Sequence, residues 1–283
     1  MTPHHPHGLN HDLDTLARQI RERRSALRWL AAGACASLAP LSLVACGGGG
    51  DDESEDAVSA ASGGSCSTIP RETAGPYPAD GTTASNQRLN ALTLSGIVRS
   101  DIRSSIGGAS GTAPGVPLTV TLNLVNTSDS CNSLEGYAVY LWHCTRDGGY
   151  SMYSSGYTGE NFLRGVQVSD ANGQVSFSTI FPGCYSGRWP HIHFEIYPSL
   201  SAATGSDSVG DHLTVSQLAL PASVCNQVYG VASGYSSSVR NFANISLASD
   251  NVFGNDSAAQ QLASVSGSVT QGFVATLEVG VAA

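Results

Sequence analysis

Lysine is absent from all 283 residues, and charge of either sign is scarce: Asp, Glu, Lys and Arg together make 12% of the chain, about half the usual share. From Cys46 onward eight arginines stand against nineteen acidic residues, a net charge of −11. Phosphate binding needs a cationic surface, so this balance argues against a nucleic-acid partner. It also gives no help in drawing anionic substrates. No two cysteines have C-x-x-C spacing, which argues against a thiolate metal site of that kind. No internal repeat is visible, and no long segment with a 3.6-residue period follows residue 45. The one long apolar stretch, residues 26–45, is interrupted by Arg28 and is too short and Ala-rich for a membrane span.

That stretch reads instead as the core of an export signal covering residues 1–45, with Arg23-Arg24 before it. The twin arginine suggests export of a folded protein. Leu43-Val-Ala-Cys46 resembles a bacterial lipoprotein cleavage box, so Cys46 would carry lipid and become the mature N-terminus, anchored to a membrane and facing the periplasm or cell exterior. An ordinary cleaved signal is the alternative. His4, His5 and His7 lie in the discarded part. Residues 46–65 are rich in Gly, Ser and acidic side chains, a composition that builds no core and reads as a flexible tether. Five cysteines remain after Cys46: Cys66, Cys131, Cys144, Cys184 and Cys225. In an exported protein they suggest disulfides, with at least one thiol left over. The expected pairs are Cys66 with Cys144 and Cys184 with Cys225.

Residues 66–283 suit one domain. Apolar side chains alternate with polar ones in 92–98, 116–125, 137–142, 173–180, 191–197, 212–218 and 273–279, separated by Gly-, Ser- and Asn-rich turns. The pattern predicts an all-β fold, an antiparallel β-sandwich. Residues 221–270 are harder to assign, with a short helix expected at 222–231.

In the run His191-Ile-His-Phe-Glu-Ile-Tyr197 the alternation puts His191, His193 and Glu195 on one face. Two imidazoles side by side form half of a metal site. Tyr185, six residues before His191 on a Gly-containing loop, can fold back to add an oxygen ligand. His143 and His212, the other histidines of the mature chain, read as structural.

Gly183-Cys-Tyr185 followed by Gly187-Arg188-Trp-Pro-His191-Ile-His193-Phe194 resembles the active-site signature of the intradiol ring-cleavage dioxygenases. Tyr140-Leu-Trp142 through Tyr150-Ser, Phe162-Leu-Arg164-Gly165-Val-Gln167, Asp170 through Phe177 and Gly75-Pro76-Tyr77 are also similar to that family. The resemblance covers about residues 66 to 220. It implies a β-sandwich and a non-haem Fe(III) cofactor held by Tyr150, Tyr185, His191 and His193. It also implies a catechol-type substrate, opened with O2 to a muconate-type diacid. Arg188 would stabilise negative charge on the substrate, Tyr185 would take a substrate proton and Gln217 would lie near the substrate. Tyr77 and Trp142 would share in the pocket wall. Tyr153 and Tyr157 compete with Tyr150 for the first position; Gly148-Gly149 resembles a turn that aims Tyr150 inward. Where relatives often read Arg-Pro-x-His, this chain has Arg188-Trp189-Pro190-His191, with the Arg-to-His spacing kept. Two other readings stand beside this one. One is a surface lipoprotein that binds an aromatic, a glycan or a partner without turnover. The other is a cupin-like Fe(II) enzyme using the two histidines with Glu195 and His143.

Overall fold

The structure, a computed structural model, describes residues 66–83, 88–206 and 209–283. The expected export signal, the Cys46 lipid site and the tether lie outside the described residues. Nine strands form two sheets among the described residues. The first sheet runs β2 (Asn132–Ser133), β1 (Pro117–Asn126), β9 (Gly272–Val281), β8 (Ser264–Ser268), with β5 (Gln174–Ile180) also paired to β1. The second runs β4 (Arg164–Val168), β3 (Ala138–Trp142), β6 (His191–Tyr197), β7 (Thr214–Ala219). Every pair in the second sheet is antiparallel. In the first, β1 and β9 run parallel, from Leu118 against Phe273 to Asn126 against Val281. The sandwich is therefore not antiparallel throughout as expected. Alternation specifies which side chains point inward but not which neighbour a strand takes, so a parallel pair gives the same pattern.

One core lies between the sheets. Val120 and Leu122 of β1, Phe177 of β5 and Ala275 of β9 meet Val139 and Leu141 of β3 and Ile192, Phe194 and Ile196 of β6. The opposite face of β3 and β6 is also covered, which is why all seven residues of β6 are buried. The helix Ala222–Val231 falls where expected and buries Val224, Cys225, Val228 and Tyr229. Residues 92–98, expected as a strand, form turns that bury Leu92 and Ile97, and Val98 makes only a single bridge to Val166. Among the described residues no helix is long and apolar enough to cross a membrane.

The disulfide joins Cys66 to Cys131, and Cys144, Cys184 and Cys225 are buried free thiols. Both expected pairs are thus wrong. The three thiols instead point at carbonyl oxygens, Cys144 at Gly183, Cys184 at Arg188 and Cys225 at Leu220. Burial pushes the Cys184 thiol up to about 12, so it stays protonated and unreactive. The bridge pins the first described segment beside the ends of β1 and β9, where Ile69 N–H donates to Gly280 O and the hydroxyls of Thr68 and Thr127 meet at 2.8 Å. Its two cysteines are 65 residues apart in sequence. Closing a loop of that length stabilises a fold by about 2–4 kcal/mol. Cys131→Ser is expected to lower the urea midpoint accordingly, and an unchanged midpoint would contradict a stabilising bridge.

Candidate metal centre

His191 and His193 sit on the outer face of the second sheet, because Ile192, Phe194 and Ile196 take the inner one. β6 is central, so His193 is flanked by Trp142 on β3 and Gln217 on β7. The Trp142 ring lies parallel to the His193 ring, 7° between planes and 4.9 Å between centroids. Trp142 is wholly buried and backs the imidazole. On the other side Gly75, at φ +71, brings its backbone against His193: a Cβ there would stand 3.4 Å from the imidazole Cε1.

Tyr150 follows the turn made by Thr145 to Gly149, in which Gly148 takes φ +93 and packs on the Cβ of Tyr185. The turn does aim Tyr150 inward. Its ring is buried, its Oη 3.4 Å from His193 Nε2. The competing tyrosines are occupied elsewhere: Tyr153 Oη accepts from Ala79 N–H, and Tyr157 Oη donates to Asp147. Tyr185 Oη stands 3.1 Å from His191 Nε2, and the two imidazole Nε2 atoms are 3.1 Å apart. Two phenol oxygens and two imidazole nitrogens therefore converge on one point.

This donor set fits a hard, highly charged metal ion. Two ligands of one ion at about 2.1 Å stand about 3.0–3.4 Å apart, and the measured separations are 3.1, 3.1 and 3.4 Å. His191 Nδ1 donates to Trp189 O, which leaves the Nε2 lone pair facing the centre. Burial, with Arg188 adding to it, holds His191 well below the usual histidine range, and burial with neighbouring His191 does the same to His193. Both imidazoles are thus neutral rather than cationic. Burial raises both phenols, Tyr185 to about 12 despite the opposing pull of Arg188, and Tyr150 well above its ordinary value. Protons leave such phenols at neutral pH only when a cation replaces them. Among the described residues no group of three or more His, Cys, Asp or Glu side chains is placed to hold a metal; the donors that meet here are two imidazoles and two phenols.

Arg188 is buried beside this centre, its Nε donating to Asp250 Oδ2 at 3.0 Å and its Nη2 to Gln217 Oε1 at 2.6 Å. Tyr77 places its ring 4.8 Å from that of Tyr150. The cupin-like set does not assemble. His143 Nδ1 is bonded to Cys144 O and its Nε2 to Thr179 Oγ1, while Glu195 accepts from Tyr197 Oη. His212 lies against Arg71 at 3.1 Å. Asp250 belongs to the segment that alternation left unassigned. Its one local signal is its place just after the 3₁₀ turn Leu247–Ser249, capped by Ser246.

Burial pushes His143 down to about 4. Between that value and the ordinary histidine pKa of about 6.5 the unfolded chain takes up a proton that the folded chain refuses. Stability therefore falls as pH falls through this window. The urea midpoint is expected to drop from pH 7 to pH 4.5, and His143→Gln is expected to flatten that drop; an identical pH slope in the variant would remove His143 from the cause.

Residues 100–204 match the dioxygenase family model. No curated protein matches the sequence. An intradiol ring-cleavage dioxygenase from Tetranychus urticae is similar in structure, 25% identical over 76% of this chain and 94% of that one, with a TM-score of 0.57. The dioxygenase domain of a dioxygenase and carbohydrate-binding fusion from Streptomyces sp. SirexAA-E is 21% identical, covering 76% of this chain and 98% of that chain at a TM-score of 0.45. Catechol 1,2-dioxygenase from Pseudomonas arvilla C-1 is 19% identical, covering 75% and 62% at 0.44. In its motifs, over the matched residues 100–204 and in its fold, the chain is similar to the intradiol ring-cleavage dioxygenases.

Proposed function

We propose that the chain is a non-haem Fe(III)-dependent dioxygenase that opens the ring of a catechol-type aromatic with O2, both oxygen atoms entering a muconate-type diacid. The observation that carries this is the convergence of Tyr150, Tyr185, His191 and His193 within 3.4 Å of one another along the chain of donor contacts. These four would hold the ion. Fe(III), when bound, would supply a Lewis-acid centre that gathers the two diol oxygens and draws electron density from the ring.

The protein's own groups have separable tasks. The more exposed of the two phenols is Tyr185, on the loop before β6, and it is the group placed to accept a diol proton. Arg188 offers a permanent positive charge to the negative charge that develops on the ring. Gln217 bears on the substrate side through Arg188: its Oε1 accepts from the guanidinium while its Nε2 donates to Thr73 O. Tyr77 forms wall beside Tyr150, and Trp142 stiffens His193 from behind.

The test is ring opening itself. Iron-loaded protein given catechol should consume one O2 per molecule and yield a diacid carrying both atoms of labelled O2. Oxidation to a quinone, or no O2 uptake with any diol, would contradict the proposal. A non-catalytic binding role has no specific support, since a binding surface does not call for two phenols and two imidazoles facing one point.

We also propose export and lipid anchoring at Cys46. The Cys66–Cys131 disulfide supports an oxidising compartment. Mass analysis of the native protein from membranes should find a lipidated N-terminal Cys46; a start at any other residue would contradict it.

A further inference from the structure

The guanidinium of Arg188 is fixed from two sides, and one of the two comes from beyond both the matched residues 100–204 and the motifs. Asp250 is wholly occupied. Its Oδ2 accepts from Arg188 Nε at 3.0 Å and Trp189 N–H at 2.6 Å, and its Oδ1 from Val252 N–H at 2.8 Å and Phe253 N–H at 3.0 Å. A carboxylate with all four acceptor positions filled has no freedom to turn. The pair is deep, with side-chain exposures of 6% for Arg188 and 0% for Asp250. The Phe253 ring lies 5.9 Å from the guanidinium carbon and 6.4 Å from the His191 ring. Trp189, the residue that departs from the family's usual proline, ties the same turn down. Its ring packs on Phe242 and its Nε1–H donates to Leu220 O.

An ion pair this deep is a poor source of stability, because desolvation offsets the attraction. What it supplies is direction. With Nε held by Asp250 and Nη2 by Gln217, Nη1 makes no hydrogen bond among the described residues.

We propose that Asp250 is a positioning residue for Arg188, holding the guanidinium so that its Nη1 edge is left for the substrate. The proposal rests on the dioxygenase reading above. Asp250 touches neither substrate nor metal; it acts through Arg188 alone.

The test compares the wild-type chain with Asp250→Asn, Arg188→Met and the double variant, iron-loaded. Asp250→Asn should keep its iron content and resting visible band, and catechol affinity measured without O2 should change less than about threefold. Turnover should fall by at least about tenfold. In the Arg188→Met background the same change should alter turnover less than about twofold. Equal losses in both backgrounds, or no loss, would overturn the proposal. A second readout needs neither iron nor turnover. In the iron-free protein the Arg188 Nε–H should exchange with water at least about tenfold faster in Asp250→Asn than in wild type, and equal exchange would also overturn it. If Asp250→Asn does not fold, Asp250→Glu, which keeps the charge but moves it by one methylene, replaces it in both measurements with the same outcomes. Wild-type protein without a band or ring opening would sink the dioxygenase reading instead, leaving the exchange result to decide the role of Asp250.

Discussion

His191→Ala is expected to lower iron affinity by at least about a hundredfold, a larger loss than the removal of a supporting group causes, while leaving the iron-free domain folded. The argument starts from its two ring nitrogens. Nδ1 is spent on Trp189 O, so Nε2 has no tautomeric choice and presents a lone pair. That Nε2 stands 3.1 Å from both Tyr185 Oη and His193 Nε2, so its loss breaks two edges of the donor set at once. Without metal these buried donors face each other with little to gain, and their burial is itself a cost. Removing one ring should therefore change the urea midpoint of the iron-free protein far less than it changes iron content. Metal analysis beside the midpoint checks this. A variant that keeps its iron, or one that loses iron only because it no longer folds, would count against the ligand assignment.

The largest loss of stability is expected at Arg164. Its side chain is buried on β4 with all five N–H groups engaged. Nε donates to Ser151 Oγ, Nη1 to Pro78 O and Tyr140 Oη, and Nη2 to Tyr77 O and Ser151 O, all between 2.8 and 3.1 Å. None of these acceptors is a carboxylate; the charge is dispersed over carbonyls and hydroxyls. The fork thereby joins the Gly75-Pro76-Tyr77 segment to Ser151, the residue after Tyr150. Arg164→Ala removes five donors at once from the acceptors around this fork, at a cost of about 3–5 kcal/mol. Arg164→Lys should recover little, since an ammonium has three donors and no planar fork. Because Tyr150 is held from this side, iron content should fall with stability in both variants. Urea unfolding and metal analysis of the two together check the pair of effects; a lysine variant as stable as wild type would show that charge alone matters.

The parts of the fold that were legible are those where one side-chain period had one meaning. β6 was read at its observed limits, and β1, β3, β5 and β9 to within a few residues, because their alternation is long and apolar. β8 reads Ser264-Val-Ser-Gly-Ser268 and is mostly exposed, so no apolar alternation marks it. Residues 92–98 alternate, yet they serve as a covering turn whose apolar side chains pack on the outer face of the second sheet. Of the candidate site, His191 and His193 were visible from a period of two alone. Tyr185 was visible from its spacing to His191 on a Gly-containing loop, whereas Tyr150 needed the motifs, and the Gly148 turn explains why Tyr150 rather than Tyr153 or Tyr157 points in. Asp250 was not visible, because its partner Arg188 is 62 residues away in sequence. The disulfide failed for the same reason: Cys66 and Cys131 are brought together by the ends of β1 and β9, which no local pattern announces.

A visible absorption spectrum of the iron-loaded domain, taken before and after catechol is added without O2, bears most directly on the claim that two phenolates and two imidazoles hold Fe(III). A broad charge-transfer band that shifts on catechol addition is the expected result, with the band lost in His191→Ala. A colourless iron-loaded protein, or a band that catechol leaves unmoved, would contradict it.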